Sequence, residues 1–411
     1  MKNYIKSFVL ISLFILAFAC EDDIFEQDAR LFNVEVQVFY PSHYNVTEAV
    51  EVTVRLINLE NGLSVSEQTL ENGHVSFSNV KKGGYRLSFG KKISSALASE
   101  YGETIIDQED IDNGRLVNLN VTLEDLSLSE NIDLGSVYLK SSLPGTYLIK
   151  EVFYTGTTTL NDRAYYADHF VEIYNNTEEV LYADSLCIAT VYGANGSADS
   201  SPTEFSGDID NVYLTFVWMV PGTGKQYPIM PGKSIIIAQD GINHRDDPNG
   251  NPNSIDLSNA SWETFLLRDI QRDIDVLEVP NMLEIFANRP NTHDWILHSY
   301  GSSVVIFKTN DPNALEVIPE PNNTQGYTLM KLPANDVLDG FEALAYANCG
   351  IYKRIPETID AGFTYCNGIF NSESCRRKVE DNVNGRIILQ DTNNSGEDFE
   401  IISFPTPYLF E

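Results

Sequence analysis

Apolar and polar residues alternate along residues 31–40 (LFNVEVQVFY) and again along 50–56 (VEVTVRL), the period-two signature of half-buried β-strands. Glu60-Asn61-Gly62 marks a turn after the second of these. Val75 and Phe77, then Tyr85 and Leu87, repeat the alternation on either side of Gly83-Gly84, and residues 116–123 (LVNLNVTL) supply a later strand. In this register His74 faces solvent. Beyond Pro144-Gly145, strand-like segments continue at residues 147–156, 169–177 and 180–188. Helical periodicity is almost absent; the exception is Ser258, placed to cap a short helix through Leu267. The chain therefore reads as all-β, with two β-sandwich domains over residues 29–140 and 141–411.

The N-terminus follows a different rule. Lys2 and Lys6 accompany an apolar run at residues 8–19 (FVLISLFILAFA), broken only by Ser12. A helix of that length reaches roughly 18 Å, short of the ~30 Å hydrocarbon core, so residues 1–19 are expected to be a signal peptide. In Ala17-Phe18-Ala19-Cys20, small residues stand three and one before a cysteine, and Glu21-Asp22-Asp23 follow. This pattern resembles a lipobox, in which signal peptidase II cleaves before a lipidated cysteine. The plain alternative is an ordinary secretory leader that happens to end before Cys20. Each buried methylene contributes about 0.8 kcal/mol, and stable anchoring takes more than one signal. The resemblance implies acyl chains on Cys20, a lipidated linker over residues 20–28 and a membrane-anchored body outside the cytoplasm. No later segment reaches the ~18 uninterrupted apolar residues of a spanning helix.

Composition narrows the partners. The formal charge is −32, and removing residues 1–19 takes it to −34. Such an excess repels nucleic acid and anionic headgroups at long range, so no nucleic-acid partner is expected. Spread over a surface, acidity serves mainly solubility. The 392 residues beyond the leader suffice for two or three domains. Four cysteines remain after Cys20, and an exporting context permits two disulfides with three connectivities. Cys366 and Cys375, close together in one irregular loop, are the preferred pair. Cys187, in the strand-like Leu186-Cys187-Ile188, reads as a buried free thiol. Cys349 is left unassigned, and no Cys/His spacing points to zinc.

Motifs add resemblances. Gly73-His74-Val75-Ser76-Phe77-Ser78-Asn79-Val80, with Gly83-Gly84-Tyr85-Arg86-Leu87, resembles carboxypeptidase-regulatory-like and Cna-B-like sandwiches, which implies a stalk or spacer role for the first domain. In the second domain, Glu151-Val152 with Gly156, then Phe170-Val171-Glu172-Ile173-Tyr174-Asn175, then the strand at 180–188, keep the order of a lamin-tail domain. Pro231-Gly232-Lys233-Ser234-Ile235-Ile236-Ile237-Ala238 continues that order, and Asn394-Ser395-Gly396-Glu397-Asp398-Phe399 with Pro405-Thr406-Pro407 closes it. The lamin-tail domain is an immunoglobulin-like sandwich much shorter than this span. Segments near 191–227 and 239–385 are therefore expected to be insertions projecting from it, and loops that long are usually functional or disordered. As a whole the chain resembles a family of Bacteroidota lipoproteins, through residues 172–176, 242–258, 353–362 and 384–395. In that phylum, acidic residues after the lipidated cysteine look like the signal for display on the outer face of the outer membrane. No established activity comes with the resemblance.

Candidate chemistry is sparse. Oxygen-bearing side chains recur at Asp247, Asn249, Asn251, Asn253 and Asp256, which suits the six to eight oxygens of calcium. Gly250 is out of place for an EF-hand, no glutamate closes the loop, and these are also ordinary loop residues. His293 and His298 lie too far out of phase to share a metal on one strand or helix, and His244 follows a strand end beside the acidic loop. There is no G-x-S-x-G and no phosphate-binding glycine loop. Residues 212–219 (VYLTFVWM) read as core strand in preference to an exposed interface. Glu172, in its strand, must face solvent or be paired, because burying a lone carboxylate costs several kcal/mol.

The expected function is a non-enzymatic surface lipoprotein that binds a protein partner, such as an outer-membrane nutrient transporter, or a captured ligand. No cofactor is expected unless the acidic loop takes calcium. A surface hydrolase and an adhesion or envelope-structure protein are the alternatives.

Overall fold

The computed structural model describes residues 30–410, apart from 113, 199, 270–272, 274 and 296. Residues 1–29, including Cys20 and the segment expected to be a leader, lie outside the described residues. The chain is built from strands with a few short helices, as the alternation predicts.

The first sandwich pairs a five-stranded sheet with a three-stranded one. The larger runs in the order Ser64–Gln68, Thr53–Asn58, Gly83–Ser94, Leu116–Leu128 and Lys140–Ser142, all antiparallel. The smaller places Leu31–Phe39 between His74–Lys81, antiparallel, and Ile132–Tyr138, parallel. Alternation works as expected: Val34, Val36 and Val38 turn inward and are fully buried against Val54, Leu87, Phe89 and Leu119. Each such side chain contributes about 1.5–3 kcal/mol by leaving water.

The second sandwich is larger. One sheet has the order Trp262–Glu263, Ser234–Ala238, Phe170–Asn175, Tyr147–Phe153, Ser374–Arg377 and Phe399–Ile402. The other has Glu316–Pro319, Thr328–Pro333, Asn211–Met219, Leu186–Val191, Ser303–Lys308 and Val337–Glu342, with Leu283–Ala287 also pairing to Asn211–Met219. Ile149, Val171, Ile188, Trp218, Ile237 and Val304 meet between the sheets. Residues 212–219 are thus core strand.

Two expectations need correction here. Segments 191–227 and 239–385 do not simply project: they supply every strand of the second sheet except Leu186–Val191. They also cover the outer faces, where Ile355 and Ile359 pack on Val305 and Phe307, and Ile255, Leu257 and Val279 pack on Phe170 and Ile236. Strands buried on both faces lose the alternation that reveals half-buried ones. The helix expected from Ser258 does not form either. Ser258 donates its hydroxyl to Asp256 (2.6 Å), and Trp262–Glu263 adds instead as a parallel edge strand to Ile237 and Ala238.

The linker between the sandwiches is short and pinned. Arg115 donates to the Pro144 carbonyl (2.5 Å), and the Gly145 N–H donates to Asp391 Oδ2 (2.6 Å).

Candidate functional site

The two sandwiches meet along a polar seam built by asparagines. Asn118, from the strand Leu116–Leu128, donates to the Asp391 carbonyl (3.0 Å) and to Asn393 Oδ1 (2.8 Å), while Asn120 donates to the Thr392 carbonyl. Asn394 Oδ1 caps the short helix Ser395–Asp398, and its amide reaches back to Thr122 Oγ1 (3.3 Å) and Ser88 Oγ (3.4 Å). Arg86 donates to Glu124 (2.7 Å) and to the Ala347 carbonyl (3.2 Å), and it stacks 3.9 Å over Phe363. Gly350 lets the second sandwich approach this closely, since a Cβ there would stand 2.8 Å from Glu124 Oε2.

Below the seam, Arg377 is buried among three carboxylates: Asp339 at 2.6 Å, Asp391 at 3.2 Å and Asp398 at 3.5 Å. Burial raises Asp339 to about 7 and Asp398 to about 6, against the pull of the guanidinium. Asp360 accepts from the Ser395 N–H and hydroxyl, and Arg354 pairs with the buried Glu342 at 2.9 Å. The motif residues of 353–362 and 384–395 are thus largely consumed in building the seam and its foundation.

Several clefts open along the seam, and two of them are large. One, of about 630 Å³, is lined by Arg55, Lys91, Lys92, Asn118, Asn120 and Glu397, among others. Its charged groups already have partners: Arg55 pairs with Glu397, Lys92 with Glu380 (2.6 Å), and Lys91 donates to the Val50 carbonyl (2.6 Å). This cleft is the seam's own bonding surface.

The other differs in chemistry. It is a groove of about 790 Å³ between the turn Leu59, Glu60, Asn61, Gly62 of the first sandwich and the loop Tyr346, Ala347, Asn348 of the second. Asp125 and Ser127 form part of one wall, and Tyr365, Cys366 and Asn367 the far side. An adjoining cleft of about 160 Å³ shares Tyr346, Cys366 and Asn367 and adds Ser299 and Tyr300. Tyr346 is 51% exposed and Tyr300 40%. Within the described residues, no hydrogen bond engages the hydroxyls of Tyr300, Tyr346 and Tyr365 or the side chains of Asn348 and Ser127. These uncommitted donors and acceptors make the groove the candidate site.

Its floor is rigid. Cys366 and Cys375, the preferred disulfide pair, are buried as thiols with their Sγ atoms 3.7 Å apart. The Cys366 N–H donates to the buried Tyr154 hydroxyl (3.1 Å). Burial pushes the Cys375 thiol well above its ordinary range, so it stays protonated and is a poor nucleophile. Cys187 is fully buried, its thiol pushed up to about 12 by burial.

The other sequence candidates serve the fold. Asp247 accepts from the Asn249 N–H (2.7 Å), Asn251 from the Asn253 N–H (3.1 Å), and Asp256 from the Ser258 N–H (3.0 Å). Asn251 and Asn253 also donate to the hairpin residues Thr157 and Thr158, at 2.7 and 2.8 Å. The five proposed calcium ligands thus include four that lock turns or stitch the loop down, and Asn249 gives only its N–H. Among the described residues, no group of three or more His, Cys, Asp or Glu is placed to hold a metal ion. His244 is buried and held neutral, its pKa lowered to about 4 by burial, between the Tyr165 hydroxyl (2.7 Å) and the Asp240 carbonyl (3.2 Å). His298 Nδ1 lies 2.9 Å from the Asn195 amide in a loop contact, and His293 Nδ1 is buried without a hydrogen bond.

Sequence reasoning missed the groove. Its walls come from residues 59–62, 125–127 and 346–367, and the only signal was the loop composition of each piece.

Residues 230–406 match the family model described as "Protein of unknown function (DUF4876)". Among solved structures, the chain is similar to a DUF4876 family protein from Bacteroides thetaiotaomicron VPI-5482. That match has 23% identity and a TM-score of 0.57, and covers 90% of this chain and 94% of that one. It supports the fold over nearly the full length of both. The chain also aligns with a streptococcal ancillary pilin at 11% identity and a TM-score of 0.17, covering 52% of this chain and 60% of that one. The full-length major pilin SpaD from Corynebacterium diphtheriae gives 9% identity and a TM-score of 0.17, covering 74% of this chain and 91% of that one. Such scores carry no argument. No curated protein matches the chain.

Proposed function

We propose that the chain is a lipid-anchored envelope protein, held through Cys20 outside the cytoplasm, whose fused sandwiches act as a non-catalytic binding module. The observation that carries this reading is the seam groove. Residues of both sandwiches form it beside a bonded seam, and its exposed tyrosines, with Asn348 and Ser127, have hydrogen-bonding groups left to meet a ligand. Preorganised walls lower the ordering cost that any binding must overcome.

The leader and the acidic residues after Cys20 support display on the outer face of the outer membrane. The likenesses to lamin-tail and carboxypeptidase-regulatory-like or Cna-B-like modules agree with a role in presentation. An outer-membrane nutrient transporter is the partner we assign to such a capture module.

Cys20→Ser, followed by cell fractionation, tests the anchor. The expected result is loss of the chain from the membrane fraction. Retention there, or a cytosolic wild-type protein, overturns the reading. An affinity pull-down from outer membranes is expected to return a transporter, and recovery of no envelope protein removes the accessory role.

A further inference from the structure

We infer that the seam groove binds an uncharged oligosaccharide, lying between the Leu59–Gly62 turn and the loop of Tyr346. This rests on the binding reading above and names its ligand class. Three properties of the groove lead there.

The first is its aromatic surface. Tyr346 and Tyr300 are both exposed residues in a concave place, where an exposed ring otherwise loses the benefit of burial. The apolar C–H face of a sugar ring stacks on such a surface, while the phenolic hydroxyl remains available for bonding.

The second is polarity without strong charge. Asn348, Ser127 and the tyrosine hydroxyls each offer donor and acceptor capacity, and Asn61 its amide donors, the same mixture that a sugar hydroxyl presents. The carboxylates are Glu60 and Asp125, and no lysine or arginine lines this groove. The nearby Arg86 is spent on Glu124, the Ala347 carbonyl and Phe363. An anionic polymer would meet repulsion without a compensating cation. A cationic one would meet two acids among a majority of neutral groups. An uncharged ligand satisfies the lining as it stands.

The third is length. The groove continues past Tyr346 into the cleft at Ser299 and Tyr300, so it suits a chain of several rings better than a compact molecule.

The full-length chain, in a detergent without a sugar headgroup, is titrated calorimetrically with neutral hexasaccharides of glucose, mannose, xylose and galactose. Oligolysine and oligogalacturonate serve as charged probes. At least one neutral hexasaccharide is expected to saturate. Tyr346→Ala and Asn348→Ala, both at exposed positions, are expected to weaken it about tenfold with the thermal midpoint unchanged. Tyr346→Phe is expected to retain most of the affinity. The inference is overturned if no neutral probe binds, if Tyr346→Ala leaves binding intact, or if oligolysine or oligogalacturonate takes the site instead. Failure here beside a successful envelope pull-down strikes only the ligand class; failure of both retires the binding module as well.

Discussion

A lysine and a glutamate with no exposed surface lie side by side in the six-stranded sheet of the second sandwich. Lys150 Nζ is 2.7 Å from Glu172 Oε1 and donates to the Leu409 carbonyl at 2.6 Å. The strands Tyr147–Phe153 and Phe170–Asn175 are buried throughout, so both ions have left water at a cost of several kcal/mol each. Burial pushes Glu172 up to about 7, opposed by Lys150. The sequence posed two options for this carboxylate, solvent or pairing, and pairing is what the fold uses. Because the pair offsets its own desolvation, removing one member does more harm than removing both. Lys150→Met is expected to destabilise the protein by about 3–5 kcal/mol, and adding Glu172→Leu to restore most of that. The sign of the pH dependence follows from the raised carboxyl. Its folded value lies above the unfolded one, so the stability it contributes is present in acid and lost as pH rises through about 7. Urea unfolding of Lys150→Met near pH 5 and near pH 8 should show the larger deficit at the higher pH. A single variant within about 0.5 kcal/mol of wild type would contradict this account.

Elements differ in how far their residues announce them. Leu31–Phe39 alternates because only one of its faces is buried, and it was legible from sequence alone. Ser303–Lys308 (SVVIFK) is buried at every position but the last, so its pattern has no period to read. Motif spacing borrowed from a smaller sandwich then made the surrounding segment look like loop. Asn394 reads only as part of a closing motif, but the side chains of Asn393 and Asn394 tie the helix Ser395–Asp398 to the first sandwich, a long-range role that local composition does not encode. Sequence proximity did bring Cys366 and Cys375 together, as free thiols 3.7 Å apart, and Cys366 also lines the groove. Closing a loop this short in an oxidising compartment is expected to contribute about 2–3 kcal/mol. Protein isolated from its native cells, denatured without reductant and treated with iodoacetamide, should be alkylated at Cys187 and Cys349 and blocked at Cys366 and Cys375. Peptide mass mapping reads this directly, and alkylation at all four positions would show that the pair remains reduced.

On the scale of the whole molecule, a first domain read as a spacer becomes a partner in one bonded body. Spacers move relative to what they carry, whereas here Lys140 pairs with Glu357 (2.5 Å), Lys92 with Glu380 and Arg55 with Glu397 around a ring of asparagine bonds. Exposed ion pairs of this kind contribute little singly. The buried contacts carry more: Arg86 bridges to the Ala347 carbonyl and Phe363 while neutralising Glu124, whose Oε1 is already buried without a hydrogen bond. Arg86→Met removes the bridge and leaves that carboxylate uncompensated, and Asn394→Ala removes a helix cap worth about 1 kcal/mol together with its contacts to Ser88 and Thr122. Wild-type protein is expected to unfold in one calorimetric transition, because neither sandwich can leave without breaking the seam. The double variant should lower that transition and split it in two, with the first sandwich melting earlier and hydrogen exchange confined at first to residues 30–142. A single unshifted endotherm would mean that the sandwiches are coupled by something other than the seam. The groove adds a functional reading to the same variant. Its walls belong to different sandwiches, so ligand affinity should fall together with the coupling, although Arg86 and Asn394 stand outside the groove lining.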